Sequence, residues 1–359
     1  MKNTEFHKIK VKNIQQSTKD CVIVEFDIPN SLKEKFQFKA GQYLTLRKEL
    51  NGEEVRRSYS LCSSPIDNTW QVGIKEIEGG KFSTFANQQL KVGDTLEAMV
   101  PNGSFTLPID KNNKKNYIAF AAGSGITPMV SLIKTQLAEE PNATFKLFYT
   151  NKTVGSIILK EELEALKNKH MERFEIFYFL TKEKRNIPFL NGRIDDEKLN
   201  TIFSTICAPE NVDEVLSCGP QEMIFKVRDY LLDKGFPKDK IHFELFTTDG
   251  TAHKKQAEKL KKTFKGKTSN ITILEGGKSF NFEMEQGSNN ILDEALINSA
   301  DLPFACKGGV CATCKCKLIE GDVNMLLSYG LEDEEVEAGY ILSCQSIPTT
   351  DKIIIDFDV

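Results

Sequence analysis

Cys306-Lys307-Gly308-Gly309-Val310-Cys311-Ala312-Thr313-Cys314 puts three thiols into one short loop, and a fourth, Cys344, follows after 29 intervening residues. Four thiolates on a C-x4-C-x2-C…C spacing are the donor set that a 2Fe–2S cluster requires. Lys307-Gly308-Gly309 suits a backbone wrapped around such a group, because glycines let N–H groups come close to sulfur. A four-cysteine zinc site is the competing reading. Zinc sites usually combine two short C-x2–4-C knuckles, and here only one short pair exists. Cys316, two residues past the loop, is expected not to be a ligand. Five of the nine cysteines fall in the last 54 residues. Met1 to Asp20 is polar and lysine-dotted, so no signal peptide and no disulfide framework are expected.

The loop belongs to a unit, residues 269–359, that reads as two strands (Ile271–Leu274 and Ser279–Glu285), a helix (Ile291–Ser299) and a last strand (Lys352–Phe357). This unit holds 16 acidic residues against 5 lysines and no arginine, although the whole chain has a net charge of only −4. Residues 251–268, just before it, carry seven lysines and one glutamate. That segment shows no apolar face worth burying and reads as a lysine-rich linker, helical in part. Such asymmetry bears on association and steering, not on fold.

Upstream, residues 111–250 alternate strand and helix. Tyr117–Ala122 is an apolar strand that runs into a glycine turn and a helix extending through Glu139. Phe145–Thr150, Phe174–Thr181, Glu214–Cys218 and Ile241–Phe246 read as further strands, with helices at Ile158–Lys169, Asp195–Phe203 and Gln221–Lys234 between them. The alternation predicts an α/β doubly wound parallel sheet. Residues 1–110 show short alternating stretches instead (Cys21–Ile28, Tyr43–Arg47, Ser58–Cys62, Gln71–Glu76, Thr95–Val100). Turn signals at Asn51-Gly52, Gly79-Gly80 and Asn102-Gly103 separate them. A small antiparallel β-barrel is expected there.

Gly123-Ser124-Gly125-Ile126-Thr127-Pro128 joins the apolar strand to its helix. Gly123 and Gly125 permit a tight turn and the close approach of a diphosphate, while the helix start supplies a dipole and free N–H groups. Thr127 is expected as N-cap and Pro128 at the first helical position. The next strand ends Thr150-Asn151-Lys152 and offers no carboxylate for a ribose 2′-hydroxyl. The third ends Thr181-Lys182-Glu183-Lys184-Arg185. This charge favours NADPH, with NADH the alternative; the competing reading is that these lysines merely solvate a surface.

The chain has 359 residues, 40% hydrophobic and 27% charged, an ordinary balance for several globular domains. The longest apolar runs fall far short of a bilayer span. A soluble, cytoplasmic protein is expected, with neither membrane nor nucleic acid as partner. No nucleophile elbow and no H-E-x-x-H motif suggest a hydrolase.

Residues 1–250 resemble the ferredoxin–NADP reductase family, and residues 269–359 resemble a plant-type ferredoxin, a β-grasp fold. The combined order is similar to the reductase-subunit family of phenylacetyl-CoA epoxidase systems, notably over Leu331–Ser346 (LEDEEVEAGYILSCQS). The resemblance implies that Arg56-Arg57-Ser58-Tyr59-Ser60 is the flavin motif. Arg57 would then meet the flavin diphosphate, Tyr59 would stack beside the isoalloxazine, and Ser60 would lie near N5. Gly80, Lys81, Ser83 and Thr84 are similar to the family's diphosphate-binding segment. The flavin implied is FAD, with FMN the alternative. Pro128 matches the family's G-x-G-x-x-P, and Gly123, Gly125 and Thr127 would serve the nicotinamide dinucleotide. Lys152, Thr181 and Lys182 would face its 2′-phosphate, Lys182 standing where arginine is usual. Cys218 of Cys218-Gly219-Pro220 would sit by nicotinamide C4, while Glu244 and Phe246 would close the flavin face. Ser60, Cys218 and Glu244 are thus the implied catalytic residues, and Cys306, Cys311, Cys314 and Cys344 the cluster ligands.

The protein is therefore expected to be an NAD(P)H-dependent oxidoreductase that passes electrons through FAD and a 2Fe–2S cluster to an acceptor protein. The acceptor implied by the resemblance is the diiron oxygenase of phenylacetyl-CoA epoxidation. Another oxygenase, a hybrid-cluster protein, or a role as a cluster-bearing redox sensor are the alternatives.

Overall fold

Alternation of side chains decides the first layer. In β1 (His7–Thr18) His7, Ile9 and Val11 are buried while Lys8, Lys10 and Lys12 face water, the signature of a strand with one covered face. The computed structural model describes residues 5–246 and 251–359, the side chains of 251–255 excepted. They fall into two compact units, one of them Phe6–Phe246 and the other built chiefly from the chain beyond Phe246.

The first unit opens with a six-stranded antiparallel sheet. β1 is joined by β2 (Cys21–Asp27), β3 (Tyr43–Leu50), β4 (Glu53–Ser60), β5 (Trp70–Lys75) and β6 (Thr95–Ala98), in the order β4-β3-β6-β1-β2-β5. An antiparallel bridge between Leu61 and Val72 carries the end of β4 to β5 and curls the sheet closed. Val24, Leu44, Leu46, Val72 and Ile74 fill the interior, together with Phe82 from α1 (Lys81–Gln88).

A five-stranded parallel sheet comes next. Its strands are β7 (Asn116–Ala122), β8 (Thr144–Asn151), β9 (Phe174–Leu180), β10 (Glu214–Gly219) and β11 (Ile241–Leu245), ordered β11-β10-β7-β8-β9. Helices α2 (Ile126–Glu139), α3 (Lys160–Lys169), α4 (Asp196–Thr201) and α5 (Gln221–Asp233) cover both faces. Hence Tyr117 to Ala121 are all buried without alternation. Ala119 and Ala121 pack under Met129 and Ile133 on one face, and Ile118 and Phe120 under Val227 and Leu231 on the other. The first strand is central, so the chain leaves it in one direction and later returns on its other side. That reversal opens a crevice between the carboxyl ends of β7 and β10.

The second unit begins with α6 (Thr251–Thr263). Its sheet runs β13-β12-β18-β14-β16, from β12 (Thr268–Glu275), β13 (Lys278–Glu285), β14 (Lys315–Glu320), β16 (Tyr340–Leu342) and β18 (Lys352–Asp356). Central β12 and β18 run parallel, and the rest of the sheet is antiparallel. β15 (Val323–Met325) pairs with β17 (Ser346–Pro348), and α7 (Ile291–Ile297) buries Leu292 and Ala295 against Ile271, Ile273, Ile353 and Ile355. α8 (Asp333–Glu337) is a short acidic turn of helix.

The lysine-rich segment differs from its expected form in one respect: it does have an apolar stripe. Ala257, Leu260 and Phe264 are half-buried among exposed lysines, at the spacing that shares one helix face. A β-carbon at Gly287 would lie 2.6 Å from the Leu260 carbonyl oxygen, and Gln256 donates to Asn324 at 2.9 Å. The segment is a helix seated on the cysteine-bearing unit.

Candidate functional site

The crevice between β7 and β10 gathers the first set of residues. Gly123–Gly125 forms a single 3-10 turn, and Gly123 carries φ of +54°, a left-handed backbone that favours glycine. Gly125 is required for another reason: a β-carbon there would sit 2.1 Å from the Cys218 carbonyl oxygen. Tyr149 Oη donates to the Gly123 carbonyl at 2.9 Å and steadies the turn from the side.

Thr127 is not the N-cap. The helix begins at Ile126 with Gly125 in the cap position, because the 3-10 turn runs straight into it. The Thr127 hydroxyl instead donates to the Ser124 carbonyl at 3.0 Å, and its methyl packs on Gly73. Thr127 therefore ties the glycine turn to the barrel.

Cys218, next to last in β10, is fully buried, and burial pushes its thiol well above the usual range. Ser60 lies 184 residues from Glu244 in sequence, yet its hydroxyl donates to Glu244 Oε2 at 3.2 Å. The barrel and the parallel sheet thus meet through these two side chains, with Cys218 within electrostatic reach of Glu244. Burial raises the Glu244 carboxyl to about 8, against a smaller opposing pull from Ser60. The carboxyl is neutral at pH 7 and becomes an anion above pH 8, where it would oppose negative charge arriving beside it. The expected consequence is that reduction of ferricyanide by NADPH slows as pH rises through about 8. Glu244→Gln should be flat across that range; a variant that keeps the fall would assign the transition to another group.

On β4, Arg57 is exposed and Tyr59 half-buried, and strand periodicity puts both on one face. Tyr59 lies 5.6 Å from the Phe82 ring. Arg56, on the opposite face, is buried beside Glu54 at 2.7 Å and Phe6 at 5.1 Å. Gly80 caps α1, Lys81 begins it and pairs with Glu53, and Ser83 Oγ accepts from the Ile77 N–H at 3.3 Å. Thr84 lies in the same first turn, half-buried. The exposed cation of Arg57, the start of α1 and its Lys81 are the donor types a diphosphate needs. Phe246 closes the unit, packed on the core that holds Cys218.

At the carboxyl ends of β8 and β9 the two loops run side by side. Thr181 N–H donates to the Asn151 carbonyl at 2.9 Å and Lys182 N–H to the Lys152 carbonyl at 2.8 Å. Lys152, Thr181 and Lys182 are exposed there. Glu183 accepts from the Val154 N–H at 2.9 Å, so this carboxylate belongs to the same cluster of cations. Thr150 Oγ1 and Asn151 Nδ2 are buried at this edge, with no hydrogen-bond partner among the described residues. Sequence reading did not single out either atom, since nothing in a lone Thr-Asn pair signals an orphaned donor.

The cysteine loop arranges its thiols in two pairs. Cys306 and Cys311 hydrogen-bond each other, and so do Cys314 and Cys344. A single zinc ion needs four donors around one centre. A two-iron cluster with four thiolates takes two per iron, as the paired arrangement offers. The thiol of Cys311 and the N–H groups of Gly308, Val310 and Cys311 pull Cys306 below its usual range. Gly308 N–H lies 3.3 Å from Cys306 Sγ. Gly309, at φ +74°, brings the loop within reach of Gln345 and Leu327. The donor set and its surrounding N–H groups fit a 2Fe–2S cluster. Cys316 is buried in the core with its thiol turned to the Ile341 carbonyl, apart from the ligand pairs. Gln345, which reaches back over Cys344, is a residue that spacing alone does not reveal.

No described helix is long and apolar enough to cross a membrane. Residues 8–107 match the family model of the oxidoreductase FAD-binding domain, residues 120–229 that of the oxidoreductase NAD-binding domain, and residues 273–349 that of the 2Fe-2S iron-sulfur cluster binding domain. The chain is 39% identical over 355 residues to a subunit of 1,2-phenylacetyl-CoA epoxidase from Escherichia coli (strain K12), covering 99% of this chain and 98% of that one. It is 31% identical over 354 residues to the ferredoxin reductase component of 3-ketosteroid-9-alpha-monooxygenase from Rhodococcus rhodochrous, covering 97% and 96%. The solved structure of phthalate dioxygenase reductase covers 98% of each chain at a TM-score of 0.60 and 24% identity, a likeness of fold.

Proposed function

Because this chain belongs to the family of reductases that carry an FAD-binding, an NAD-binding and a 2Fe-2S domain in one polypeptide, we propose that it supplies electrons to the oxygenase component of a phenylacetyl-CoA epoxidase. It is an NAD(P)H-dependent flavin and iron–sulfur oxidoreductase. The end-to-end match with the epoxidase polypeptide of Escherichia coli, cluster domain included, carries the finer reading. The domain that meets the acceptor is the one whose surface must be shaped to it.

Bound FAD takes two electrons as a hydride and releases them singly, which matches a one-electron cluster to a two-electron donor. The residues of this chain would orient and exclude water. Gly123 and Gly125 would let the dinucleotide diphosphate approach the start of α2, and Cys218 and Glu244 would line the meeting place of the two rings. Ser60 would hold Glu244 in place, and Arg57 with the first turn of α1 would anchor the flavin diphosphate. No general base is needed. Lys152 and Lys182 favour NADPH, since they add positive charge where the 2′-phosphate would lie.

Glu332, Asp333, Glu334 and Glu337 are acidic and exposed on α8 and its flank, so the acceptor is expected to present a basic surface. The test is NADPH oxidation by the full chain mixed with a purified phenylacetyl-CoA epoxidase oxygenase component. Turnover should depend on phenylacetyl-CoA and fall about tenfold from low to high salt. No coupling to phenylacetyl-CoA would sink this acceptor, and a rate indifferent to salt would sink electrostatic docking.

A further inference from the structure

Gln345 is next to a cluster ligand in sequence but folds back over it. The residue is 8% exposed. Nε2 lies 3.6 Å from Cys344 Sγ, 2.9 Å from the Cys344 carbonyl oxygen and 3.0 Å from the Lys307 carbonyl oxygen. The stem of the side chain covers Gly309, where an added β-carbon would meet Gln345 Cγ at 2.9 Å. One amide therefore touches both parts of the site, the 306–314 loop and the turn of Cys344, which are 38 residues apart at the Lys307 contact.

We infer that Gln345 is a positioning residue that raises the reduction potential of the cluster: one side-chain N–H is shared between the Cys344 sulfur and the Cys344 carbonyl oxygen, and the other latches the loop at Lys307. An N–H dipole aimed at a ligand sulfur stabilises added negative charge, so it favours the reduced form; hydrogen bonds to the sulfurs are a recognised lever on potential. The backbone N–H of Gly308 acts on Cys306 in the same sense, but a backbone donor survives substitution. A glutamine amide does not. The inference rests on the assignment of the four cysteines to a 2Fe–2S cluster.

Gln345→Met in the full-length holoprotein keeps the length of the side chain and removes the donor. Redox titration followed by visible absorption and electron paramagnetic resonance reads the cluster and the flavin separately. The variant should hold wild-type iron while its cluster is harder to reduce, by about tenfold in the one-electron equilibrium, ~59 mV. The flavin potential should not move. An unchanged cluster potential at full iron content overturns the inference. Should the variant lose its cluster, wild-type protein labelled with 15N only in glutamine side-chain amides answers the question. Pulsed resonance of the reduced protein should show coupling to one such nitrogen, and its absence overturns the inference. Wild-type protein that binds no iron at all would instead remove the underlying assignment.

Discussion

Cys311→Ala should separate the two halves of the electron path. With Cys306, Cys311, Cys314 and Cys344 as the ligands, the substitution would leave one pair with a single thiolate, and the Thr313 hydroxyl beside Cys311 is a poor substitute for it. Iron content and the cluster's visible bands should be lost, and delivery to a protein acceptor should fall about 10²-fold or more, because the cluster exists only while its thiolate ligands hold it. Ferricyanide reduction by NADPH should survive, since ferricyanide can draw electrons from the flavin itself. Cys316→Ala is the matched control. Its thiol lies in the core, turned toward the Ile341 carbonyl, so that variant should keep a full complement of iron. If Cys311→Ala still passes electrons to protein, the route from flavin to acceptor bypasses the cluster.

Gly125→Ala should do the reverse. Its β-carbon would arrive 2.1 Å from the Cys218 carbonyl oxygen, and the contact is with backbone, which cannot swing aside. The turn must move away from β10, carrying the dinucleotide site with it. A displacement near 1 Å in a hydride-transfer geometry costs about 10²-fold in rate, so both ferricyanide and protein acceptors should slow together when NADPH is the donor. Dithionite, which needs no nucleotide site, should still bleach flavin and cluster fully. Stopped-flow reduction of the flavin is the direct measurement; a wild-type rate would mean that the approach of Gly125 to Cys218 does not govern the site.

Much of the architecture was legible because its signals are short-range. The C-x4-C-x2-C spacing, the strand-to-glycine-to-helix passage at 117–128 and the alternation of the first hundred residues each report local geometry directly. The failures share a cause too. Thr127 looked like a cap by residue type, but the 3-10 turn before it moved the helix start and left Gly125 in that role. Ala257, Leu260 and Phe264 form a stripe one residue wide, which seven lysines in the same segment obscure. β14 is partly charged and β16 only three residues long, and they become strands by pairing, β14 with both β16 and β18, not by their own pattern. Ser60 and Glu244 were paired in expectation by resemblance alone, since no local rule connects positions 184 apart. Gln345 shows the limit most clearly: glutamine after cysteine says nothing about where its amide will point.

The seating of α6 changes how this protein can be taken apart and recombined. A graft of the iron–sulfur unit onto another reductase that began at 268 would strip Leu260 from Gly287 and Gln256 from Asn324, leaving a bare patch on the transplanted module. A graft that began before Thr251 would bring its own covering. Chimeras should therefore treat the basic helix as part of the cargo and place the seam upstream of it.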